Sequence, residues 1–196
     1  WLQDTQSTGT GVSYESTINV ECYADNLALT DISQLIQICV VIEHSFIGDL
    51  DMYLTSPTGQ TVYFAQYGDG NDPGYYLGQP IDNDSTGNPG VGWNYCFAPN
   101  APLGTWSNVA GAYPWGQNTL PAGTYSSEQP LSNLLGSDLN GTWCLKITDN
   151  IYSDNGYIFG WSINLNPALV PPTSFFTPVL VTQQWQSDPS IVSTNG

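Results

Sequence analysis

Apolar and polar residues alternate with a period of two along most of the chain, which is the pattern of β-strands that bury one face. Short runs of Gly, Pro, Asn and Asp separate the alternating segments, as turns do. The segments are "GVSYESTINVEC", "IQICVVIEHSF", "DLDMYLTS", "QTVYFAQ", "GTWCLKITDN" and "GYIFGWSINLNP". The pattern predicts an all-β protein built as an antiparallel sandwich.

The alternation also assigns side chains to faces. The second segment places four residues together on one face: Ile38, Val40, Ile42 and His44. Glu43 has the opposite parity, as Lys146 does in the fifth segment, so both are expected to face outward. His44 is the single histidine. Because it shares a face with apolar residues, we expect it to be buried and hydrogen-bonded rather than catalytic.

Signals for a helix are confined to "LTDISQLIQI". Thr30 or Asp31 could cap a short turn there, since both are good N-cap residues. The alternative is an irregular lead into the following strand.

Two changes of pattern divide the chain. Between residues 68 and 123 the alternation loosens into a Gly-, Asn- and Pro-rich stretch, interpreted as short strands joined by ordered loops. After Pro167 a proline-rich segment begins. We therefore expect one domain over residues 1–167. Residues 168–196 would be a linker with the first strand of a following Ig-like domain at Phe175 to Val181, or a tail that packs back on the sandwich.

The charge is very one-sided, with 17 acidic residues against a single lysine and no arginine, a formal net charge of -16. Such a surface repels nucleic acid and anionic lipid, so neither is expected as a partner. The carboxylates are either solvated or bind cations. Calcium suits a cation site rich in carboxylates.

The four cysteines, Cys22, Cys39, Cys96 and Cys144, contain no CxxC pair, which argues against structural zinc. An even number predicts two disulfides and an exported protein, with reduced core cysteines as the alternative. Three pairings are possible. We favour Cys39 with Cys96, because Cys39 lies in a central strand and Cys96 lies in the irregular stretch that needs anchoring. We also favour Cys22 with Cys144. The chain opens on Trp1, which suggests a processed product or a piece of a longer protein.

Three acidic clusters are the candidate chemistry. They are Asp49 with Asp51 in "GDLDMYL", the "DND" of Asp82 to Asp84 downstream of Asp69 and Asp72, and Asp149 with Asp154 in "TDNIYSDNG". Residues two apart in a strand point to one face, so Asp49 and Asp51 would emerge together. Taken singly, aspartates in turns serve turn geometry. If the fold brings them to one end, a cation would offset their repulsion.

Two motifs carry a resemblance to a known family. They are "VVIEHSFIGDLDMYLTSPTGQTVYF" and, about a hundred residues later, "LNGTWCLKITDNIYSDNGYIFGWSINL", with "GTYSSEQPLSNLLG" between them. Together they resemble the P domain, or Homo B domain, that follows the catalytic domain of subtilisin-like proprotein convertases. The resemblance spans roughly residues 11–167.

The resemblance implies a jelly-roll sandwich of about eight strands without catalytic residues. It also implies calcium binding through loop aspartates, carried here by Asp49, Asp82, Asp84, Asp149 and Asp154. Asp51 and Glu128 are weaker candidates. Two departures stand out: "IDND" splits the family's adjacent aspartate pair, and "AYPWGQN" is an extra segment in the middle of the chain.

No catalytic constellation is evident from the residues themselves. There is no GxSxG motif, and any nucleophile would have to share the one histidine. A glycosidase needs only two carboxyl groups, but most of the four glutamates have outward parity in strand patterns. The chain is therefore not expected to be an enzyme.

Three functions remain open. The first is a calcium-stabilised structural or adhesive module of a large secreted or cell-surface protein, whose composition is similar to the modular adhesin-like proteins of gliding Bacteroidota. The second is an accessory P domain of a secreted peptidase. The third is a carbohydrate-binding jelly roll with Trp106, Tyr113 and Trp115 as aromatic platforms. The expected partners are neighbouring domains, glycans or other surface proteins, and the expected location is extracellular or at the cell surface.

Overall fold

The computed structural model describes residues 2, 12–68, 75–81, 87–109, 119–151, 154–172 and 190. Within them the protein is all-β, with short 3-10 helices as the helical elements. The prediction of an all-β protein is therefore confirmed. Each alternating segment of the sequence corresponds to a strand.

The strands form two sheets. The first has four strands in the order β1 (Val12–Val20), β9 (Gly141–Asp149), β3 (Leu50–Thr55) and β4 (Thr61–Ala65). The second has six, in the order β7 (Thr119–Leu120), β5 (Tyr76–Leu77), β2 (Leu35–His44), β6 (Trp93–Phe97) and β8 (Gly123–Tyr125), with β10 (Gly156–Leu165) also paired to β2.

The pairing is antiparallel with two exceptions, β5 with β7 and β6 with β8, which are parallel. The expectation of a purely antiparallel fold is thus wrong at these pairs. Parallel neighbours need a long crossover connection, and the Gly- and Asn-rich stretch between β6 and β8 provides it. The described residues contain ten strands rather than about eight, and two of them, β5 and β7, are only two residues long.

The core lies between the facing sides of the two sheets. Trp143, Leu145 and Ile147 of β9 are at most 1% exposed, as their parity predicts. Burial of such large apolar side chains is the main favourable contribution to folding. Four aromatic residues close one part of the core by mutual ring contacts: Tyr95, Phe97, Trp106 and Tyr125.

Local signals in the sequence correspond to local structure. Asp31 is the N-cap of a 3-10 helix, Ile32–Gln34, and its side chain accepts from Ser33 N while Gln34 completes a capping box. The helix leads directly into β2. The turn "SPTG" joins β3 to β4, with Ser56 N donating to Gln60 O at 2.8 Å and Gly59 at a positive φ of 91°.

One of the two predicted disulfides is present. Cys39 and Cys96 are bonded and lie opposite each other on β2 and β6. The pairing of Cys22 with Cys144 is wrong, because both are free thiols. Cys144 lies opposite Thr17 of β1, and Cys22 comes five residues further along. Five residues at about 3.3 Å each span about 16 Å along the strand. This distance is more than twice the about 4.4–6.8 Å between the Cα atoms of bonded cysteines.

The end of the sandwich falls near the predicted boundary. β10 ends at Leu165, and a 3-10 helix, Pro167–Leu169, follows it with Asn166 as its cap. The proposed strand from Phe175 to Val181 lies outside the described residues. The division at residue 167 stays a prediction.

Candidate functional site

One end of the sandwich gathers the chain segments that hold the predicted ligands. Leu50, the first residue of β3, lies opposite Asp149 at the end of β9. Gly156, the first residue of β10, lies opposite His44 at the end of β2. Asp49, Asp149 and Asp154 therefore come from neighbouring turns at the same end.

Asp49 lies in a 3-10 helix, Ile47–Asp49, and is 5% exposed. Its carbonyl oxygen accepts from both the backbone N and the side-chain Nδ2 of Asn150, each at 3.0 Å. Because Asp49 precedes β3 rather than belonging to it, the period-two argument that pairs it with Asp51 does not apply. The expectation that the two carboxylates emerge together is wrong: Asp49 is buried and Asp51 is half-buried.

Asp51 is used within the fold. Its Oδ1 accepts from Tyr67 N at 2.9 Å, and its Oδ2 accepts from Asn150 Nδ2 at 3.1 Å. Asn150 thus holds the turn after β9 to the turn before β3. This network fixes the spacing of the two turns that carry Asp49 and Asp149.

His44 and Asp149 form a fully buried pair, with 3.2 Å between Nε2 and Oδ2. Phe46 N donates to Nδ1 of the same ring at 3.1 Å, so Nδ1 is an acceptor and the proton lies on Nε2, which donates to Asp149. A general base needs a free ring nitrogen facing its nucleophile, and both nitrogens of His44 are engaged. The interpretation of His44 as a buried, hydrogen-bonded residue is confirmed.

The second oxygen of Asp149, Oδ1, accepts from Ile151 N at 3.3 Å. Asp154, half-buried, lies on the far side of the same turn. Its neighbour Asn155 is fixed to Ser45, with Asn155 N donating to Ser45 Oγ at 3.0 Å and Ser45 N donating to Asn155 O at 3.1 Å. The strand ends on both sides of this turn are therefore held in place by hydrogen bonds.

Asp82 and Asp84 lie outside the described residues, as do Asp69 and Asp72. The chain that flanks Asp82 and Asp84 is anchored by a backbone bridge between Gln79 and Val91, whose two N–H groups each donate at 2.9 Å. Within the described part of the chain, no three His, Cys, Asp or Glu side chains are grouped so that they could hold a metal ion.

Residues 33–107 match the family model of the proprotein convertase P-domain. The resemblance to the P domain is confirmed. The match begins in the first 3-10 helix and covers β2 to β6, the disulfide and the segment of Asp49; the second motif, in β9 and β10, lies beyond it. The P domain is an accessory, noncatalytic domain of peptidases.

No curated protein matches the chain. P domains occur in secreted proteins, and the Cys39–Cys96 disulfide is in keeping with an extracellular location. None of the helices in the described ranges has the length and apolar character needed to cross a membrane.

Glu128, a weaker candidate ligand, has a structural role in the sandwich. Its Oε1 accepts from Ser107 Oγ at 2.5 Å and from Ser107 N at 3.4 Å. The adjacent Trp106 is 2% exposed and packs edge-on against Tyr95. Trp106 therefore belongs to the core and is not a sugar platform; the other two platform residues, Tyr113 and Trp115, lie outside the described residues.

Glu43 is the residue that sequence reasoning missed. Its parity is outward as predicted, yet it is 1% exposed. Its Oε1 accepts from Gly90 N at 3.3 Å, and its Oε2 has no hydrogen-bond partner among the described residues. Burial raises the pKa of Glu43 to about 7, against the smaller opposing effect of the Gly90 hydrogen bond. No local signal identifies such a residue, because a distant segment buries it.

Proposed function

We propose that the chain is a calcium-stabilised, noncatalytic structural or adhesive module, with a jelly-roll strand arrangement, in a large secreted or cell-surface protein. The observation that carries the proposal is the location of Asp49, Asp149 and Asp154 in segments at the same end of the sandwich. In a chain with net charge -16 and one lysine, basic side chains that could neutralise an acidic end are scarce. Calcium accepts several oxygen ligands in variable geometry and suits such a place.

The described residues fit a calcium ion only in part. Asp49, Asp149 and Asp154 would be the ligands from the described residues. The two oxygens of Asp149 also accept from His44 and Ile151. The remaining ligands would come from Asp82 and Asp84. A bound ion would join the turns before β3 and β10 to the segment between Gln79 and Val91.

Differential scanning fluorimetry with calcium and with a chelator tests the proposal. A ligand that binds only the folded state stabilises it by about 2.7 kcal/mol at a hundredfold excess over its dissociation constant. We expect the melting temperature to fall on chelation and to recover with calcium. Magnesium should restore it poorly, since Mg²⁺ keeps its waters and prefers strict octahedral geometry.

Variants locate the effect. Asp49→Ala should remove most of the calcium response while the β-rich circular dichroism persists at low temperature. Asp25→Ala is the matched control, since Asp25 is an exposed aspartate away from this end. An unchanged melting curve on chelation, or an equal response in Asp49→Ala and wild type, would reject the calcium site.

The family match supports a second candidate, an accessory P domain of a secreted peptidase. The two differ in what adjoins the module in the full-length protein. A peptidase domain before this chain, whose stability depends on the module in co-expression, would favour the peptidase role. Ig-like repeats on both sides, as in modular bacterial surface proteins, would favour the structural or adhesive role.

A further inference from the structure

The outward face of the four-stranded sheet carries one continuous row of side chains. Lys146 of β9 lies opposite Glu15 of β1 on one side and Tyr53 of β3 on the other, and Tyr53 lies opposite Tyr63 of β4. The four residues form a row across every strand of this sheet. Neighbouring strands are about 4.8 Å apart, so the row is about 14 Å long.

The row has a polar and an aromatic half. Lys146 Nζ is 2.9 Å from Glu15 Oε1, and this contact raises the pKa of Lys146 above its ordinary value. The rings of Tyr53 and Tyr63 have centroids 4.9 Å apart at an angle of 37°. The chain's one lysine is therefore paired with a carboxylate, and two half-buried tyrosines lie beside it on the outward face of the sheet.

Hydroxyl groups border the row on both sides. One neighbouring row contains Thr17, Thr55 and Thr61, around Cys144. On the other side, Ser13 Oγ and Thr148 Oγ1 lie 2.9 Å apart, and Asp51 lies opposite Thr148 in the same row. Hydroxyls both donate and accept hydrogen bonds, so the surface offers both kinds of group next to two aromatic rings.

Charge and polarity restrict what can bind there. A net charge of -16 disfavours an anionic polymer. The large apolar side chains that are exposed in the described residues all lie outside these four strands, so an apolar protein partner finds no complementary patch. A neutral ligand rich in hydroxyls matches the hydroxyls and the tyrosines together.

We propose that this face binds an extended, neutral polysaccharide, with the Tyr53–Tyr63 pair against the sugar rings and the bordering hydroxyls bonded to sugar hydroxyls. Tyrosine suits this role because its ring is apolar and its edge is polar. The inference names the ligand class of the adhesive role in the proposed function and rests on that role. It does not depend on calcium.

Affinity electrophoresis in gels that contain a soluble polysaccharide is the first test. Hydroxyethylcellulose, xyloglucan and galactomannan are the neutral probes, and alginate is the anionic one. We expect at least one neutral polymer to retard the protein and alginate not to. Retardation should be equal at about 50 mM and about 500 mM salt, since a neutral ligand leaves nothing for salt to screen.

Variants then locate the binding face. Tyr53→Ala and Tyr63→Ala should each weaken binding about tenfold, the loss expected for one well-placed aromatic contact. Tyr63→Phe should keep most of the affinity. Thr55→Arg leaves both rings in place but crowds the face, and should weaken binding if the alanine variants fold poorly. Phe159→Ala is the matched control, because that ring is 49% exposed on the other sheet.

The proposal is overturned if none of the neutral polymers retards the protein. It is also overturned if the Tyr→Ala variants and Thr55→Arg bind as well as wild type does, or if Phe159→Ala loses binding. Retardation by alginate that salt abolishes would overturn it as well. Melting curves with chelator, run on the same samples, keep the two proposals apart. A calcium response without glycan binding rejects only the glycan face, and glycan binding without a calcium response rejects only the calcium site.

Discussion

Lys146 and Glu43 occupy equivalent places in the two sheets but have opposite surroundings. By the alternation of its strand, each belongs to the outer face of its sheet. Each strand is also an interior strand with neighbours on both sides, β9 in the first sheet and β2 in the second. The Lys146 side chain is 29% exposed and has a carboxylate partner at 2.9 Å. Glu43 is 1% exposed, and its Oε1 accepts from the Gly90 N–H at 3.3 Å. One sheet keeps its outer face open, and the other buries a carboxyl group on it.

The difference arises from the described stretches 78–81 and 87–92, called here the covering segment, which pack against the end of β2. A Cβ on Gly78 would clash with Val91 O and lie 3.0 Å from Glu43 Cβ, and one on Gly92 would meet the ring of Phe159. Alternation along a strand decides which face a side chain takes. Whether that face meets water is decided by segments far away in the sequence. The following changes should affect the two faces unequally.

The largest effect is expected at the disulfide on the covered sheet. Cys39 and Cys96 are 57 residues apart and both buried. In the chain-entropy model a loop of that length contributes about 4 kcal/mol, so the Cys39→Ala/Cys96→Ala variant should lose about that much free energy of unfolding in urea. The double Cys22→Ser/Cys144→Ser variant is the control and should change by about 0.5 kcal/mol or less. A similar loss in both variants would contradict the assignment.

Removing the charge of Glu43 should produce the next largest effect, and only at high pH. Its pKa is about 7 in the folded protein against an ordinary value of 4.5. The folded state therefore holds more protons than the unfolded state between these values, and stability falls as pH rises through this window. At pH 8 the carboxylate should cost at most about 3 kcal/mol relative to pH 4.

Urea unfolding of Glu43→Gln and wild type at pH 4 to 8 measures that cost. The free energy of unfolding of the variant, relative to that of wild type, should increase as pH rises and level off above about pH 7. The readout is how the difference in free energy of unfolding between variant and wild type changes with pH. Its absolute value is not the readout, because the buried amide has its own hydrogen-bond penalty at every pH. Glu15→Gln, which removes an exposed carboxyl group on the open face, is the matched control. Parallel curves for Glu43→Gln and wild type would show that Glu43 is solvated.

The strands and their faces could be predicted because each depends on neighbours two residues apart. The capping of the 3-10 helix by Asp31 and the "SPTG" turn are equally local. The pairing of His44 with Asp149 could not be predicted, because it joins residues 105 positions apart in the sequence. The burial of Glu43 is non-local in the same way. The position of Asp49 differs from the prediction for a local reason: the 3-10 helix includes Asp49, so the alternation of β3 begins at Leu50, one residue later than the pattern suggests.

Two glycines with positive φ, one beside each sheet, allow the covered and the open sheet to be compared directly. Gly78 has φ 61° and lies against Val91 and Glu43, whereas Gly59, in the turn of the open sheet, has φ 91° and open space among the described atoms where a Cβ would stand. Gly59→Ala should cost only the backbone strain, about 1 kcal/mol. Gly78→Ala adds a clash with backbone that cannot move aside, so it should cost about 2 kcal/mol more. Equal losses by chemical denaturation would mean that the covering segment is loosely packed.

The smallest effect is expected for the ion pair on the open face. Glu15 and Lys146 are both partly exposed, and exposed pairs typically contribute about 0.2–1 kcal/mol. Because the contact raises the pKa of Lys146, the lysine stays charged and the contribution should be constant from about pH 6 to 9. A double-mutant cycle with Glu15→Gln and Lys146→Met should give a coupling energy in that range, and about 0.5 M salt should abolish it. A coupling that survives salt would mean that this face is desolvated as the Glu43 face is, and the contrast between the two sheets would fail.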